Sequence, residues 1–170
     1  KFYNLNNTLF FLICIVTLLL RVYQVNFENY WFDEHASFWV ADPSLTLNET
    51  IKRSYNLDQG THLFFGIILK FFFNIFGYTP GIGRYLPLAF GILSIPAISY
   101  LAFQLRKGQS YLYVAFLCSI NFYLVSYSQE LRSYSLIFLL SILSIIFYYK
   151  ILDHQIISKK KILFLVLYIF

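Results

Sequence analysis

The pattern of apolar and polar positions divides the chain into long apolar runs joined by polar segments. Four runs, at 5–25, 85–104, 111–127 and 134–151, contain almost no charged residue, and a further apolar run begins at 162. An α-helix needs about 20 apolar residues to cross the hydrocarbon core of a bilayer. The pattern therefore predicts an all-α fold, a polytopic transmembrane helical bundle in which these runs are the spans.

A shorter apolar run, at 62–76, differs because Lys70 lies near its middle. At about 1.5 Å per residue, a helix over this run is roughly 22 Å long, short of the roughly 30 Å of a hydrocarbon core. We therefore expect a juxtamembrane helix that lies in the interface, with Lys70 reaching the lipid headgroups.

The only long polar segment, 26–83, separates the first two predicted spans and holds most of the acidic residues. Within it, 36–41 and 47–55 have the pattern of short surface helices, and the glycines and proline of 77–83 predict a turn. This segment is then a long outer loop that carries the juxtamembrane helices. Because the last apolar run is too short to span, we interpret residues 1–170 as the N-terminal part of a longer transmembrane domain.

Composition agrees with a membrane protein. Of 170 residues, 59% are hydrophobic and 12% are charged, and the mean hydropathy of +0.63 excludes an ordinary soluble domain. The net charge of +5 does not indicate a nucleic-acid partner, because the basic residues lie mostly beside apolar runs, where they set orientation. The two cysteines fall inside apolar runs and are expected to be small buried hydrophobes. A cleaved signal peptide is disfavoured because no small-x-small site follows the first run.

Orientation follows from the basic loops, since cytoplasmic loops are enriched in Lys and Arg. If 62–76 does not span, the following basic residues all lie on one side of the membrane: Lys1, Arg106, Lys107, Lys150 and 159–161. The acidic residues other than Asp153 then lie on the other side, and we expect a cytoplasmic N-terminus. If 62–76 did span, the basic loops would face outward, which the charge rule disfavours. Arg21, near the outer end of the first span, is expected to snorkel.

Two adjacent carboxylates, Asp33 and Glu34, follow the first span closely and are flanked by both tryptophans, Trp31 and Trp39. Acids beside aromatic rings at a membrane surface are costly unless something uses them. The alternative is that both are simply solvated. The predicted topology places other polar residues on the same outer face: Asp58, His62, Arg84, Glu130 and Arg132.

Two acidic sites and two arginines around one outer cavity indicate transfer chemistry on a lipid-linked phosphate. A carboxylate can remove a proton from an acceptor, and arginine binds phosphate through a bidentate fork. Structural alternatives remain for each residue. Arg84 can anchor a helix start, Glu130 and Arg132 can form a solvated ion pair, and His62 is more typical of a helix end than of a metal ligand.

Four sequence elements in this order resemble the GT-C glycosyltransferases that use polyprenyl-phosphate sugars. That group includes the protein O-mannosyltransferases, the aminoarabinose transferases and bacterial family-39-like relatives. The elements are Trp31-Phe32-Asp33-Glu34; Asp58 with His62-Leu63-Phe64-Phe65; Phe76-Gly77 with Arg84-Tyr85-Leu86-Pro87; and Tyr127-Ser128-Gln129-Glu130-Leu131-Arg132-Ser133-Tyr134. The resemblance covers nearly the whole chain. It departs from the pattern at Thr61-His62, where many relatives carry a proline pair.

The resemblance implies an inverting glycosyltransferase of a bacterial inner or plasma membrane that acts on the outer face. Asp33 would be the general base, Glu34 would support it, and Glu130 would be the second acidic element. The substrate-binding residues would be Arg84, Arg132, Asp58, His62 and Tyr134, with the two arginines at the lipid phosphate. The donor would be a polyprenyl-phosphate sugar embedded among membrane lipids, and the acceptor (protein, lipid or glycan) stays open. No cofactor is firmly implied, and a divalent metal stays open.

Two other classes of protein are alternatives. A transporter or flippase of lipid-linked substrates would place charges beside a lipid-facing cavity without any chemistry. Such folds often contain paired broken helices or a repeat in the hydropathy pattern, and the sequence shows neither. A non-catalytic membrane scaffold is the other alternative, but it would not need Asp33 and Glu130 on the same face.

Overall fold

The computed structural model describes residues 2–58, 60 and 63–152, except for the side chains of residues 2–5 and 58. These residues are 80% helical and contain no strand. The helices are α1 (Phe2–Val22), α2 (Phe32–Val40), α3 (Leu47–Asp58), α4 (Leu63–Phe76), α5 (Pro80–Gly83), α6 (Tyr85–Leu105), α7 (Ser110–Ile120), α8 (Phe122–Gln129) and α9 (Tyr134–Leu152). The prediction of an all-α fold is confirmed for this part of the chain.

Two segments are long and apolar enough to cross a membrane: Pro80–Leu105, which joins α5 and α6, and α9. Helices α7 and α8 together could form a third span, although they are bent by 57° at the break between them. The apolar helices Asn6–Val22 and Leu63–Phe76 are shorter. By length and composition, the described residues are therefore consistent with a membrane protein of two or three spans. The fuller bundle stays a prediction, and the run from 162 lies outside the described residues.

The predicted span at 111–127 is interrupted, which corrects the expectation of one continuous helix. Helix α7 ends at Ile120 and α8 begins at Phe122, and Asn121 between them is extended, with φ −64° and ψ 120°. The Asn121 side chain accepts a hydrogen bond from the backbone N–H of Leu124 at 3.1 Å, as a helix N-cap does. A single polar cap hardly changes the hydropathy of an apolar run, so the pattern did not reveal the break.

Arg21 does not snorkel as predicted, because it is only 1% exposed. Its Nη1 donates to the carbonyl of Ser119 at 3.2 Å, and its Nη2 donates to the carbonyl of Cys118 at 3.4 Å. These carbonyls lie in the last turn of α7, where backbone acceptors lack a partner within the helix. Arg21 therefore stabilises the end of α7 at the break. The hydroxyls of Thr17 and Ser119 add a second contact there, at 2.7 Å.

Helix α6 packs against α1, α7, α8 and α9. Leu101 of α6 forms one buried apolar cluster with Ile142 and Ile146 of α9. Toward the other end of α6, a Cβ on Gly91 would lie 2.4 Å from the Cβ of Ser128. Glycine at this position therefore allows α6 and α8 to approach closely.

Helices α2 to α5 are called the outer unit below, after their predicted place outside the membrane. Residues of α2, α4 and α5 pack on a second core, which also includes residues of α6, of the turn before α9 and of α9 itself. Its buried members are Ala41, Phe65, Leu69, Phe73, Leu86, Leu131 and Leu136. The ring of Phe38 stacks on Tyr78 with centroids 4.1 Å apart, and Phe73 meets both rings edge-on. Such aromatic pairs add to the free energy gained by burial. They fix α2 against α4 and so place the start of α2 beside Leu131.

Lys70 of α4 is buried, which corrects the expectation that it reaches lipid headgroups. Its Nζ donates to the backbone carbonyls of Asp42 and Leu45, each at 2.7 Å. Lys70 therefore fastens the connection between α2 and α3 to α4. The short helix itself was predicted, and its placement in the membrane interface stays a prediction.

Lys70→Met should destabilise the outer unit, because methionine fills the space of the lysine stem but offers no donor to the two carbonyls. A hydrogen bond with one charged partner contributes roughly 1.5–3 kcal/mol, so we expect a loss of about 2 kcal/mol. Thermal unfolding in detergent and proteolysis between α2 and α3 would measure it. Lys52→Met, at an exposed position of α3, is the control and should change neither. Wild-type thermal stability in Lys70→Met would contradict the role assigned to this lysine.

Candidate active site around the Glu34–Arg84 ion pair

Helix α2 begins at Phe32, so Asp33 and Glu34 both lie in its first turn. Backbone N–H groups there lack helical partners, and the helix dipole favours negative charge. Consecutive residues of a helix point about 100° apart around its axis, so the two carboxylates face different surroundings. The Asp33 side chain is 38% exposed, whereas Glu34 is 0% exposed. The two adjacent acids therefore lie in different environments.

Glu34 forms a buried, bidentate ion pair with Arg84. The Arg84 Nε donates to Oε1 of Glu34 at 2.8 Å, and Nη2 donates to Oε2 at 2.6 Å. Each carboxylate oxygen also accepts a backbone N–H, Oε1 from Leu131 at 2.7 Å and Oε2 from Trp31 at 3.4 Å. Breaking a buried pair from one side is strongly destabilising. The pair therefore constrains the structure.

The rest of the Arg84 guanidinium is also occupied by protein acceptors. Its Nη1 donates to the carbonyls of Val25 at 3.0 Å and Glu28 at 2.8 Å, and Nη2 also donates to that of Asn29 at 3.4 Å. A guanidinium has five N–H donors, and all five are used within the protein. No donor is left for a phosphate. The structure therefore makes Arg84 a positioning residue, in place of the phosphate ligand that the resemblance implies.

The Glu34–Arg84 pair joins three segments of the chain: the connection from α1 to α2, the start of α6, and the turn at 130–133. Because Glu34 has no exposed surface, it cannot meet an acceptor directly. Its contribution is to fix the first turn of α2, on which Asp33 is carried. The role of Glu34 in supporting a catalytic base stays a prediction.

Asp33 lies in the wall of a cavity of about 260 Å³ together with Arg132. The Arg132 Nη2 lies 3.6 Å from Oδ2 of Asp33, and Nη1 donates to the Asp33 carbonyl at 3.3 Å. The other lining residues are Phe32, Ala36, Ser37, Val40, Ser54, Leu57, Phe65 and Gly66. A half-exposed carboxylate and a guanidinium thus meet in one mostly apolar cavity, which is the arrangement expected for a base beside an anion site.

Glu130 lines a different cavity, of about 460 Å³, with Glu28, Trp31 and the Glu34–Arg84 pair in its wall. The two cavities have no lining residue in common. Burial, and next the negative charge of Glu34, raise the pKa of Glu130 above its usual value, against the attraction of Arg132. The prediction of one cavity for all these groups therefore needs correction: the structure brings Asp33 and Arg132 together and sets Glu130 apart.

The remaining predicted site residues are placed only in part. The ring of Tyr134 lies 5.9 Å from the Arg132 guanidinium carbon and within reach of a cation–π contact. The side chain of Asp58, at the end of α3, and the whole of His62 lie outside the described residues. In the described part of the chain, no three His, Cys, Asp or Glu residues are grouped as metal ligands.

Sequence reasoning missed the backbone groups that complete the site. The carbonyls of Val25, Glu28 and Asn29, and the N–H of Leu131, are present whatever the side chain is, so no residue type signals them. Gln129 was part of the predicted motif, but its function was not recognised. Its amide donates to backbone carbonyls at the end of α1, the shortest contact being 2.8 Å to Tyr23.

Comparisons of the chain with protein family models, with characterised proteins and with solved structures found no match. Function is therefore inferred from the four sequence elements and from the geometry of the two cavities.

Proposed function

We propose that the chain is the catalytic part of an integral-membrane glycosyltransferase that moves a sugar from a polyprenyl-phosphate donor to an acceptor on the outer face of the membrane. One observation carries this proposal. Asp33 is half-exposed beside Arg132 in a shared cavity, on a helix whose first turn is fixed by the buried Glu34–Arg84 pair. A rigidly held base next to a phosphate-binding group is what such a transfer needs.

In the proposed reaction, Asp33 takes the proton from an acceptor hydroxyl or amine. The acceptor atom attacks the anomeric carbon as the bond from that carbon to the phosphate oxygen breaks, with inversion. The electron pair leaves with the lipid phosphate, whose charge Arg132 stabilises. The Arg132 Nη2 lies 3.6 Å from Oδ2 of Asp33, so this guanidinium stands beside the proposed base, where it can meet the departing phosphate.

Glu130 would act from the neighbouring cavity. Burial raises its pKa, so this carboxyl keeps its proton to higher pH than an exposed glutamate does. When it is ionised, its oxygens would accept hydrogen bonds from the hydroxyls of the sugar. Trp31 in the same wall is 46% exposed, and aromatic faces commonly provide contact area for ligands. The acceptor class (protein, lipid or glycan) is not fixed by these features.

The direct test is a transfer assay with the protein in nanodiscs. The donor is a radiolabelled polyprenyl-phosphate sugar, and peptide, lipid and glycan acceptors are supplied in parallel. If the protein is a transferase, the assay should yield equal amounts of glycosylated acceptor and released polyprenyl phosphate. A donor that is bound and moved across the bilayer with its sugar intact would instead support a transporter.

The transporter or flippase alternative is favoured by one specific feature, the 57° bend between α7 and α8. Discontinuous helices of this kind often form substrate sites in transporters. Asp33 and Arg132, the proposed base and phosphate ligand, do not lie at this break, however. Asp33 and Arg132 line a cavity formed by the outer unit and the turn before α9, which favours the transferase.

The proposed orientation makes a separate prediction. In a background without Cys14 and Cys118, single cysteines at Asn48 and Thr79 should react with an impermeant thiol reagent added outside the cell, because both positions are exposed in the outer unit. A cysteine at Ser158, which lies outside the described residues, should react only after the membrane is permeabilised. We expect this because the loop that contains Ser158 is basic, and basic loops lie on the cytoplasmic side. Labelling of Ser158→Cys in intact cells would reverse the assignment.

A further inference from the structure

A further cavity, called the distal cavity below, lies at the end of the helices away from the candidate active site. Its volume is about 570 Å³, and it is formed by the start of α1, the second half of α6 and the start of α7. Tyr100 of α6 lines it, and at about 1.5 Å per residue this tyrosine lies roughly 24 Å along the helix from Arg84. The distal cavity shares no lining residue with the cavities of Asp33 and Glu130. It is therefore a separate site.

The wall of the distal cavity combines amide side chains with aromatic rings. Asn7 of α1 and Gln109, just before α7, both line it and are both exposed, so a ligand in the cavity can reach their amide N–H groups. The rings of Phe10 and Phe103 lie against Tyr111, with centroids 5.9 Å and 6.1 Å from it. The cavity thus offers accessible hydrogen-bond donors beside an apolar aromatic surface.

The charges around the distal cavity are basic. The Nζ of Lys150 lies 5.5 Å from the ring centre of Tyr100, which lines the cavity. Lys107 is exposed and directly precedes Gly108, another lining residue, and a Cβ on Gly108 would meet no atom within 4 Å. The acidic residues of the described ranges lie toward the other end of the helices or in the outer unit: Glu28, Asp33, Glu34, Asp42, Glu49, Asp58 and Glu130. The positive potential at this end therefore favours an anionic ligand.

The distal cavity opens on the side of α6. Tyr100 and Phe103 are 39% and 41% exposed, and Pro96, which also lines the cavity, is exposed. Helix α6 belongs to a segment long and apolar enough to cross a membrane, and it ends at Leu105. In a bilayer these side chains would face acyl chains just below one membrane surface. A lipid could therefore enter from the side, with its headgroup at the connection between α6 and α7.

We propose that the distal cavity binds an anionic phospholipid of the adjacent leaflet. The lipid phosphate accepts hydrogen bonds from the amides of Asn7 and Gln109, and the ammonium groups of Lys107 and Lys150 balance its charge. An acyl chain lies along Phe103. Basic pockets between membrane helices on the cytoplasmic side bind the headgroups of anionic lipids, and the predicted orientation places this end there. The proposal goes beyond the transferase and does not depend on it.

Native mass spectrometry of the protein in detergent tests this proposal. Phosphatidylglycerol is compared with phosphatidylcholine of the same acyl chains, and with glycerophosphoglycerol, its headgroup without chains. We expect phosphatidylglycerol to bind at least about tenfold more tightly than either, because two basic residues favour its charge and the cavity contacts its chains. Lys107→Gln should lower the preference over phosphatidylcholine by about fivefold. Lys52→Gln, at an exposed position of α3, is the control and should leave it unchanged.

A second variant tests whether the lipid occupies the cavity itself. Asn7→Trp should fill the cavity from α1, remove one amide donor and weaken phosphatidylglycerol binding by about tenfold. Leu9→Trp is the matched control, because Leu9 is 42% exposed on the same helix and does not line the cavity. It should bind as the wild type does. The proposal is overturned if phosphatidylglycerol is not preferred over phosphatidylcholine, or if the headgroup without chains binds as tightly. It is equally overturned if Asn7→Trp binds phosphatidylglycerol with wild-type affinity.

Discussion

Arg84→Met should destabilise the protein by about 3–5 kcal/mol, the usual cost of breaking a buried ion pair from one side. The substitution leaves the Glu34 carboxylate buried with no cation beside it. It also removes the donors that hold the carbonyls of Val25 and Glu28. Since the pair joins the connection before α2, the start of α6 and the turn at 130–133, the outer unit should detach or unfold. Few single substitutions in this chain should cost as much.

Thermal or denaturant unfolding of the purified protein in detergent measures this loss of stability. Arg106→Met is the control, because Arg106 is exposed between α6 and α7 and surface substitutions usually change stability by less than about 0.5 kcal/mol. Glu34→Gln is the reciprocal variant. It keeps an acceptor for the Leu131 N–H but removes the negative charge, so it should destabilise the same region. If Arg84→Met were as stable as Arg106→Met, the ion pair could not be the element that organises the site.

Asp33→Asn should lower transfer by about 10²–10⁴-fold, the usual contribution of a general base. Asparagine keeps the size of the side chain and its exposed position, so the fold should be retained. In the proposed mechanism the donor is held mainly through its phosphate, so donor affinity should change little. Asp42→Asn is the control. Asp42 is another acid of the outer unit, it caps a turn through Ser44, and it lines neither candidate cavity.

Much of the fold could be predicted from the apolar pattern alone. The runs at 85–104 and 134–151 correspond closely to α6 and α9. Their lengths are set by long stretches without charge, which is a strong signal because every interior residue contributes to it. The short helix at 62–76 was also found, as Leu63–Phe76. In each of these cases, many residues contribute together to the apolar pattern that predicts the helix.

The predictions that failed depended on single polar residues. Lys70 and Arg21 were both expected to reach lipid headgroups, and both are buried against backbone carbonyls. A basic residue in an apolar run signals that its charge must be satisfied, but the sequence does not show whether headgroups or a neighbouring helix end will do this. The break at Asn121 also depends on one polar side chain, whose effect on the hydropathy of the run is too small to reveal it.

The sequence named the residues of the candidate site but not their pairings. Of the residues in the four sequence elements, the structure brings Glu34 to Arg84 and Asp33 to Arg132 near the start of α2. Adjacent acids at a helix start face different directions, so only packing decides which one is buried. This packing makes Glu34 the partner of Arg84 and Asp33 the partner of Arg132. It also separates Glu130 into its own cavity.

The most direct measurement compares Asp33→Asn with Arg132→Lys in donor binding and in single-turnover transfer, with the protein in nanodiscs. Lysine keeps the charge but loses the bidentate fork, so Arg132→Lys should weaken donor binding as well as transfer. Asp33→Asn should bind the donor with near-normal affinity and transfer its sugar about 10²–10⁴-fold more slowly. Full transfer activity in Asp33→Asn would contradict the proposal that this carboxylate is the catalytic base, and the transporter alternative would then be favoured.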